Sequence, residues 1–212
     1  MNNPLITRRE SIVLTSIDII DEIGIEALSI RTIASREKIV ESSIYKHFKS
    51  KEEIILEVLD YYSKYDESLM DTIQFNHYGA KESIIFFIES LITNYEAHPA
   101  LTSITQSFEA LKNSSPAVDK ARDIFFKRIA FISSLVKEAK SEGVFSQSLS
   151  NEFIATTIVG IKRTVLTEWR MSNYSFKLKE RALKYILDFL DMVCTFRLKE
   201  VDICINAVKK NF

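Results

Sequence analysis

Apolar residues recur at three- and four-residue intervals along most of the chain, and short polar breaks divide this pattern into helices. Thr7 followed by Glu10 forms a capping box ahead of the stripe Val13, Ile17 and Ile20, and Gly24 is the natural stop. Ser29 caps a short second helix, with Leu28 and Ile33 placed as a hydrophobic staple. Ser50 and Glu53 form a second capping box and open a long helix from Lys51 toward about Phe75. Further helices are expected from about Lys81 to Ala97, ending near His98-Pro99, and from Leu101 to about Lys112. Another starts at Ser115-Pro116 and ends by Gly143, one capped by Ser150 reaches about Met171, and a last one spans about Phe176 to Arg197. The tail beyond Lys199 is compatible with a helix.

Composition narrows the fold class. A chain of 212 residues at average usage would carry roughly 15 Gly and 10 Pro; this one has 4 and 3. Turn-rich β-sandwiches, barrels and propellers are therefore unfavoured, and no glycine-rich phosphate loop can be written with Gly24, Gly79, Gly143 and Gly160. The expectation is an all-α protein of about nine helices, with an N-terminal three-helix domain in residues 1–50 and a larger helical domain in 51–212. The longest apolar run, Ile84 to Ile88, is far short of the ~18 residues that cross a bilayer. No apolar signal segment is expected at the N-terminus. Cys194 and Cys204, if on one helix, would be about 15 Å apart, too far for a disulfide. A cytoplasmic protein is expected.

Residues 29–48 carry the chemistry. They read as a helix of about seven residues, a four-residue corner and a second helix of about seven. Ala34 is small where two helices must approach, while Ile33, Ile39, Ile44 and Phe48 can close a miniature core with the first helix. Ser42 and Ser43 are small and polar at the end that would meet base edges in a major groove. Residues 29–51 hold six basic residues against Glu37 and Glu41, a net of +4, whereas residues 1–28 hold two against five acids, a net of −3. That asymmetry suits one DNA-facing surface, and a dimer would double its footprint. His47, His77 and His98 lack Cys or carboxylate partners at metal-ligand spacing, and no Ser, Cys or Lys sits in a nucleophile setting. No enzyme activity, metal or cofactor is expected.

The string from Leu28 to Lys51 resembles the DNA-binding motif of TetR/AcrR-type (tetracycline-repressor-like) bacterial transcription regulators. The matching positions are Leu28, Ile33, Ala34, Ser43, Ile44, Tyr45, His47, Phe48, Ser50, Lys51, Glu52 and Ile54. Where that family commonly has Ala-Gly in the corner and Ser at the helix cap, this chain has Glu37-Lys38 and Val40. A left-handed Lys38 would cost up to about 1 kcal/mol relative to Gly. A cap worth ~1 kcal/mol is missing unless Glu41 or Ser42 supplies one.

The resemblance implies a helix-turn-helix regulator of transcription that acts as a homodimer on a (pseudo)palindromic double-stranded operator and is released by a small-molecule effector. It implies phosphate contacts from Tyr45, His47 and Lys51, groove contacts from Glu41, Ser42, Ser43 and Lys46, and backbone clamps from Ser29 and Arg31. It also implies an effector pocket in the larger domain, for which Phe87, Asn94, Gln106, Phe108, Phe126 and Arg163 are the candidates. The stripe Thr156, Gly160 and Thr164, with Ile186, Phe189, Leu190 and Val193, is the expected dimer interface through the last two long helices. A repressor is the first expectation, and an activator has the same motifs. The alternative is a TetR-like helical dimer that has lost DNA binding and serves as a small-molecule or protein-interaction module, a reading that Glu41 and the altered corner would support.

Overall fold

Three helices begin where the sequence places its capping residues, after Thr7, Ser29 and Ser150. A computed structural model describes residues 6–107, 111 and 115–194. Among these the order is α1 (Arg8–Ile23), α2 (Ile30–Glu37), α3 (Glu41–Ile44), α4 (Lys51–Asn76), α5 (Ala80–Ala97), α6 (Leu101–Gln106), α7 (Ser115–Ser141), α8 (Asn151–Met171) and α9 (Leu178–Val193), with a 3-10 turn at Ile25–Ala27 and no β-strand. The Thr7–Glu10 box is formed in both directions, and the same backbone and hydroxyl hydrogen bonds hold the Glu10 carboxyl below its ordinary pKa. Gly24 ends α1 at φ 84°, a backbone region open to glycine, with its N–H on the Ile20 carbonyl. Glu53 departs from the expected second box. Its own N–H donates to Ser50 Oγ at 3.2 Å, but its carboxylate accepts from the Lys49 N–H at 2.6 Å.

Three helices are shorter than the pattern suggests. The one expected to reach Lys112 stops at Gln106, where the Ser107 hydroxyl bonds back to the Ser103 carbonyl at 2.8 Å. The remainder of that expected helix lies largely outside the described residues. The last helix ends at Val193 rather than Arg197. Ser146 N–H takes the Val193 carbonyl at 2.9 Å, and Cys194 turns extended to pair with Phe145. The third difference, in α3, belongs to the site described below. Cys204 and the tail beyond Lys199 lie outside the described residues.

The chain divides into two compact units. The first comprises residues up to Ser68 together with Ala97–Phe125. Its core is Ile12, Val13, Ile17, Ile20, Leu28, Ile33, Ile44, Phe48, Ile54 and Val58, all buried. Each such side chain contributes about 1.5–3 kcal/mol of burial free energy, far more than any surface pair in the unit. Within it α1 packs against α2 and α6, and α2 against α3.

The second unit comprises Leu69–Glu96 and the chain from Phe126 onward. Here α5 buries Ile84, Phe87, Leu91 and Tyr95, the later part of α7 buries Ile132, Leu135 and Val136, and α8 packs along α9. No helix among the described residues is long and apolar enough to cross a membrane.

Candidate nucleic-acid interface

The reading segment is assembled by local hydrogen bonds and a small apolar core. Ser29 and Thr32 cap α2 reciprocally, each hydroxyl accepting the other's backbone N–H at 2.9–3.0 Å. The corner runs through Lys38 at φ 57°, ψ 41°, the left-handed conformation that Gly adopts without strain. Val40 precedes α3 in extended conformation with no side-chain cap, so neither Glu41 nor Ser42 replaces the missing one. The expected seven-residue recognition helix is correspondingly a single turn, Glu41–Ile44, followed by tight turns through His47. Uncapped and unable to propagate through that turn, it draws little stability from its own ladder. Ile33, Ala34, Ile44 and Phe48 are buried, as a miniature core requires.

Opposite that core the segment presents Arg31, Glu41, Ser42, Tyr45 and Lys46 to solvent, with Ser29, Ser43, His47 and Lys51 half-buried. Tyr45 is 55% and Val40 66% exposed. Ser29 has its hydroxyl engaged in the cap, and Lys51 Nζ donates to the Glu26 carbonyl at 3.2 Å. Of the six basic residues between 29 and 51, Arg36 is matched by a two-pronged pair with Glu22, at 2.6 and 2.9 Å, which lowers the carboxyl and raises the guanidinium. Arg31, Lys38, Lys46 and Lys49 have no carboxylate partner among the described residues. The concentration of uncompensated positive charge on an exposed helix-turn-helix surface is what a phosphate backbone attracts.

Two supporting residues were not among the expected site residues. Glu37, whose side chain is only 9% exposed, accepts from Arg8 Nη1 at 2.8 Å, from Ser11 Oγ at 2.9 Å and from Thr15 Oγ1. It fastens the end of α2 to α1 beside the corner. Arg9 donates to the His47 carbonyl at 2.5 Å and to Glu57 at 2.7 Å, lies 3.6 Å from Glu53, and stacks 4.1 Å over the Phe48 ring. Hydrogen bonding to Glu57 raises its guanidinium above the ordinary value. A signal for the first was present: Arg8, Ser11 and Thr15 lie at helical spacing and form a polar stripe beside the apolar one.

Comparison with known proteins bears on the same segment. The profile described as "Bacterial regulatory proteins, tetR family" matches residues 12–58, and that described as "YsiA-like protein, C-terminal region" matches residues 63–190. The chain belongs to the TetR family of bacterial regulators. The HTH-type transcriptional repressor BepR of Brucella suis biovar 1 (strain 1330) is 23% identical over 175 residues, covering 80% of this chain and 84% of BepR. The ketosteroid transcriptional regulator KstR2 of Mycobacterium tuberculosis superposes with a TM-score of 0.74 at 20% identity, covering 92% of this chain and 97% of KstR2. The regulator FadR of Bacillus subtilis, solved in complex with stearoyl-CoA, gives a TM-score of 0.73 at 20% identity over 85% and 96% of the two chains. This TetR-family protein is therefore a transcriptional regulator with a helix-turn-helix.

Elsewhere in this TetR-family chain, the expected effector and dimer residues separate. Phe87 is buried, 5.1 Å from the Phe131 ring, and Asn94 is half-buried. Phe126, 59% exposed, and Arg163 face solvent rather than an interior. The reason is helical phase: in the second unit α7 buries Arg128, Ile132, Leu135 and Ala139, and α8 buries Ile158, Lys162, Val165 and Trp169. The buried cations of these two helices are Arg128, Lys140, which donates to the Leu149 carbonyl, and Lys162, 5.5 Å over the Tyr95 ring. Phe108 and the Gln106 side chain lie outside what is described.

Of the residues expected at the dimer interface, Ile186, Leu190 and Val193 are buried in the chain's own second unit, Phe189 is half-buried, and Thr156, Gly160 and Thr164 are exposed. The i, i+4, i+7 stripe of α9 is the one that packs inward, leaving Tyr185 and Met192 outside. Among the described residues no cluster of three or more His, Cys, Asp or Glu could hold a metal ion.

Proposed function

We propose that this regulator is a homodimeric repressor that reads a (pseudo)palindromic operator and is released by a small-molecule effector. The observation that carries the reading is the exposed row Glu41, Ser42, Tyr45 and Lys46 beside Arg31 and Lys49, on a segment whose opposite face is a closed apolar core. Tyr45, His47 and Lys51 hold phosphates; Glu41, Ser42, Ser43 and Lys46 enter the groove; Ser29 and Arg31 flank the backbone. Two such segments would occupy successive major grooves about 34–36 Å apart. Repression rather than activation follows BepR, which is named a repressor. The domain boundary is proposed near residue 50, with α4 as the element that carries an effector's influence to the reading segment.

The dimer is proposed to form through the outer faces of α8 and α9. Thr156, Gly160 and Thr164 supply close approach on α8, and Phe189, Tyr185 and Met192 supply apolar surface on α9. A Cβ added at Gly160 meets nothing within 4 Å in this chain, so that side is open to a second helix. For the effector, the apolar interior of the second unit around Phe87 and Tyr95 suits a ligand with an apolar body, in line with the stearoyl-CoA bound to FadR.

The test is selection of sheared genomic DNA by the purified chain at ~0.1–0.15 M salt, followed by sequencing and by titration of the selected site with and without stearoyl-CoA. One enriched palindrome, bound with a steep salt dependence, is expected. No enrichment by a folded, dimeric protein would favour a helical dimer that has given up DNA. A selected site whose affinity stearoyl-CoA leaves unchanged would remove the effector class and leave the DNA reading standing.

A further inference from the structure

The recognition turn is held by very little of its own making. Helix α3 spans four residues, lacks a side-chain cap and runs directly into turns at Tyr45–His47. Its inner face is anchored by Ile44 and Phe48. The turn that follows carries Tyr45 and His47, and the His47 carbonyl accepts from the Arg9 guanidinium at 2.5 Å. That same guanidinium reaches Glu57 and Glu53 on α4, and Glu53 in turn accepts the Lys49 N–H at 2.6 Å. One planar cation therefore joins α1, the recognition turn and the first two turns of α4 in a closed network. A forked donor can do this, whereas an ammonium acts as a point charge.

We infer that Arg9 is a positioning residue for operator recognition, setting the recognition turn against α4 without itself touching DNA. This rests on the DNA-binding reading above. Its side chain is 39% exposed, so it contributes little to the core that stabilises the unit; what it controls is the placement of the His47 carbonyl and the residues around it. Removing it loosens the geometry that distinguishes one base sequence from another and leaves the phosphate-binding cations in place.

The experiment compares affinities of the full-length chain and its variants for the site the wild type selects and for a scrambled duplex of equal length, across a salt series. Arg9→Met is expected to weaken the selected site roughly tenfold, the scale of one lost coupling network. Affinity for the scrambled duplex and the slope of log affinity against log salt stay at wild-type values. Glu57→Gln, which takes the charge from one of the two α4 partners and leaves the guanidinium untouched, is expected to lower discrimination in the same direction by a smaller factor, and Arg9→Lys to fall between Arg9→Met and wild type. Should Arg9→Met not fold, as judged by circular dichroism, Glu57→Gln decides the matter. Equal weakening on both duplexes, with a slope reduced by about one phosphate contact, would make Arg9 a backbone ligand and overturn the inference. Unchanged discrimination in Glu57→Gln and Arg9→Met overturns it as well. A wild type that selects no site brings down the DNA reading and this inference together, whereas a selective wild type with equally selective variants brings down the inference alone.

Discussion

Replacing Glu37 by Ala removes the carboxylate that ties the end of α2 to α1. In the structure it accepts from Arg8, Ser11 and Thr15 while only 9% exposed. Hydrogen bonds to a charged group contribute about 1.5–3 kcal/mol. The Arg8 guanidinium is 38% exposed, so its pairing adds under ~1 kcal/mol. Ser11 and Thr15 are half-buried and recover water when the carboxylate is gone, which keeps the loss toward the lower end. The expected destabilisation is about 2–3 kcal/mol, and at about 2–4 °C per kcal/mol for a chain of this size Tm falls by roughly 4–12 °C. Glu37→Gln keeps an acceptor oxygen and is expected to lose about half as much. Thermal and urea unfolding followed by far-UV circular dichroism measures both variants. A Glu37→Ala midpoint within ~0.5 kcal/mol of wild type would refute the reasoning, because a surface residue with no structural role behaves that way. So would a Gln variant as damaged as the Ala variant.

Four further outcomes are expected. Lys38→Gly relieves the left-handed corner and should stabilise the chain by up to about 1 kcal/mol in urea unfolding; a lowered midpoint would count against strain there. The solvent-exposed Asp18 has its carboxyl raised, first by partial desolvation and then by Glu22 and Asp21, with Arg36 opposing. A raised folded-state value favours the neutral acid, so its contribution is complete below the unfolded carboxyl range and lost as pH rises through the folded value. Asp18→Asn should therefore be the more stable protein at neutral pH, with the gap closing on acidification, and a pH series of urea midpoints with a constant gap would contradict this. Lys51→Ala, at a proposed phosphate contact, should weaken operator and non-operator duplexes alike and reduce the salt slope by about one, read by titration at several salt concentrations. Met192→Glu places a charge on the proposed dimer face and should shift sedimentation toward monomer while the helical spectrum is retained; an unshifted dimer would place the interface elsewhere.

Legibility followed the range of the forces involved. The Thr7, Ser29 and Ser150 caps, the Gly24 stop and the extent of α4, α5, α7 and α8 were readable because capping and apolar periodicity act within a few residues. The reading segment was legible for the same reason, since its core and exposed faces alternate at helical spacing. On α8 the buried cation is Lys162 and not its neighbour Arg163, because adjacent residues lie 100° apart on a helix and only the packed neighbours decide which faces inward. The α9 stripe was identified as apolar, but not which partner it would meet.

By itself, then, the amino-acid order determined the all-helical class, the helix-turn-helix and its charge asymmetry, all products of local spacing. Tertiary structure decided what connects them. Arg9 meets His47, Glu53 and Glu57, and Glu37 meets Arg8, Ser11 and Thr15, across separations of 22 to 48 residues. The end of α9 is set by Phe145 and Ser146, almost fifty residues earlier in the chain. Such pairings depend on where folding brings separate helices together, and no local period encodes that.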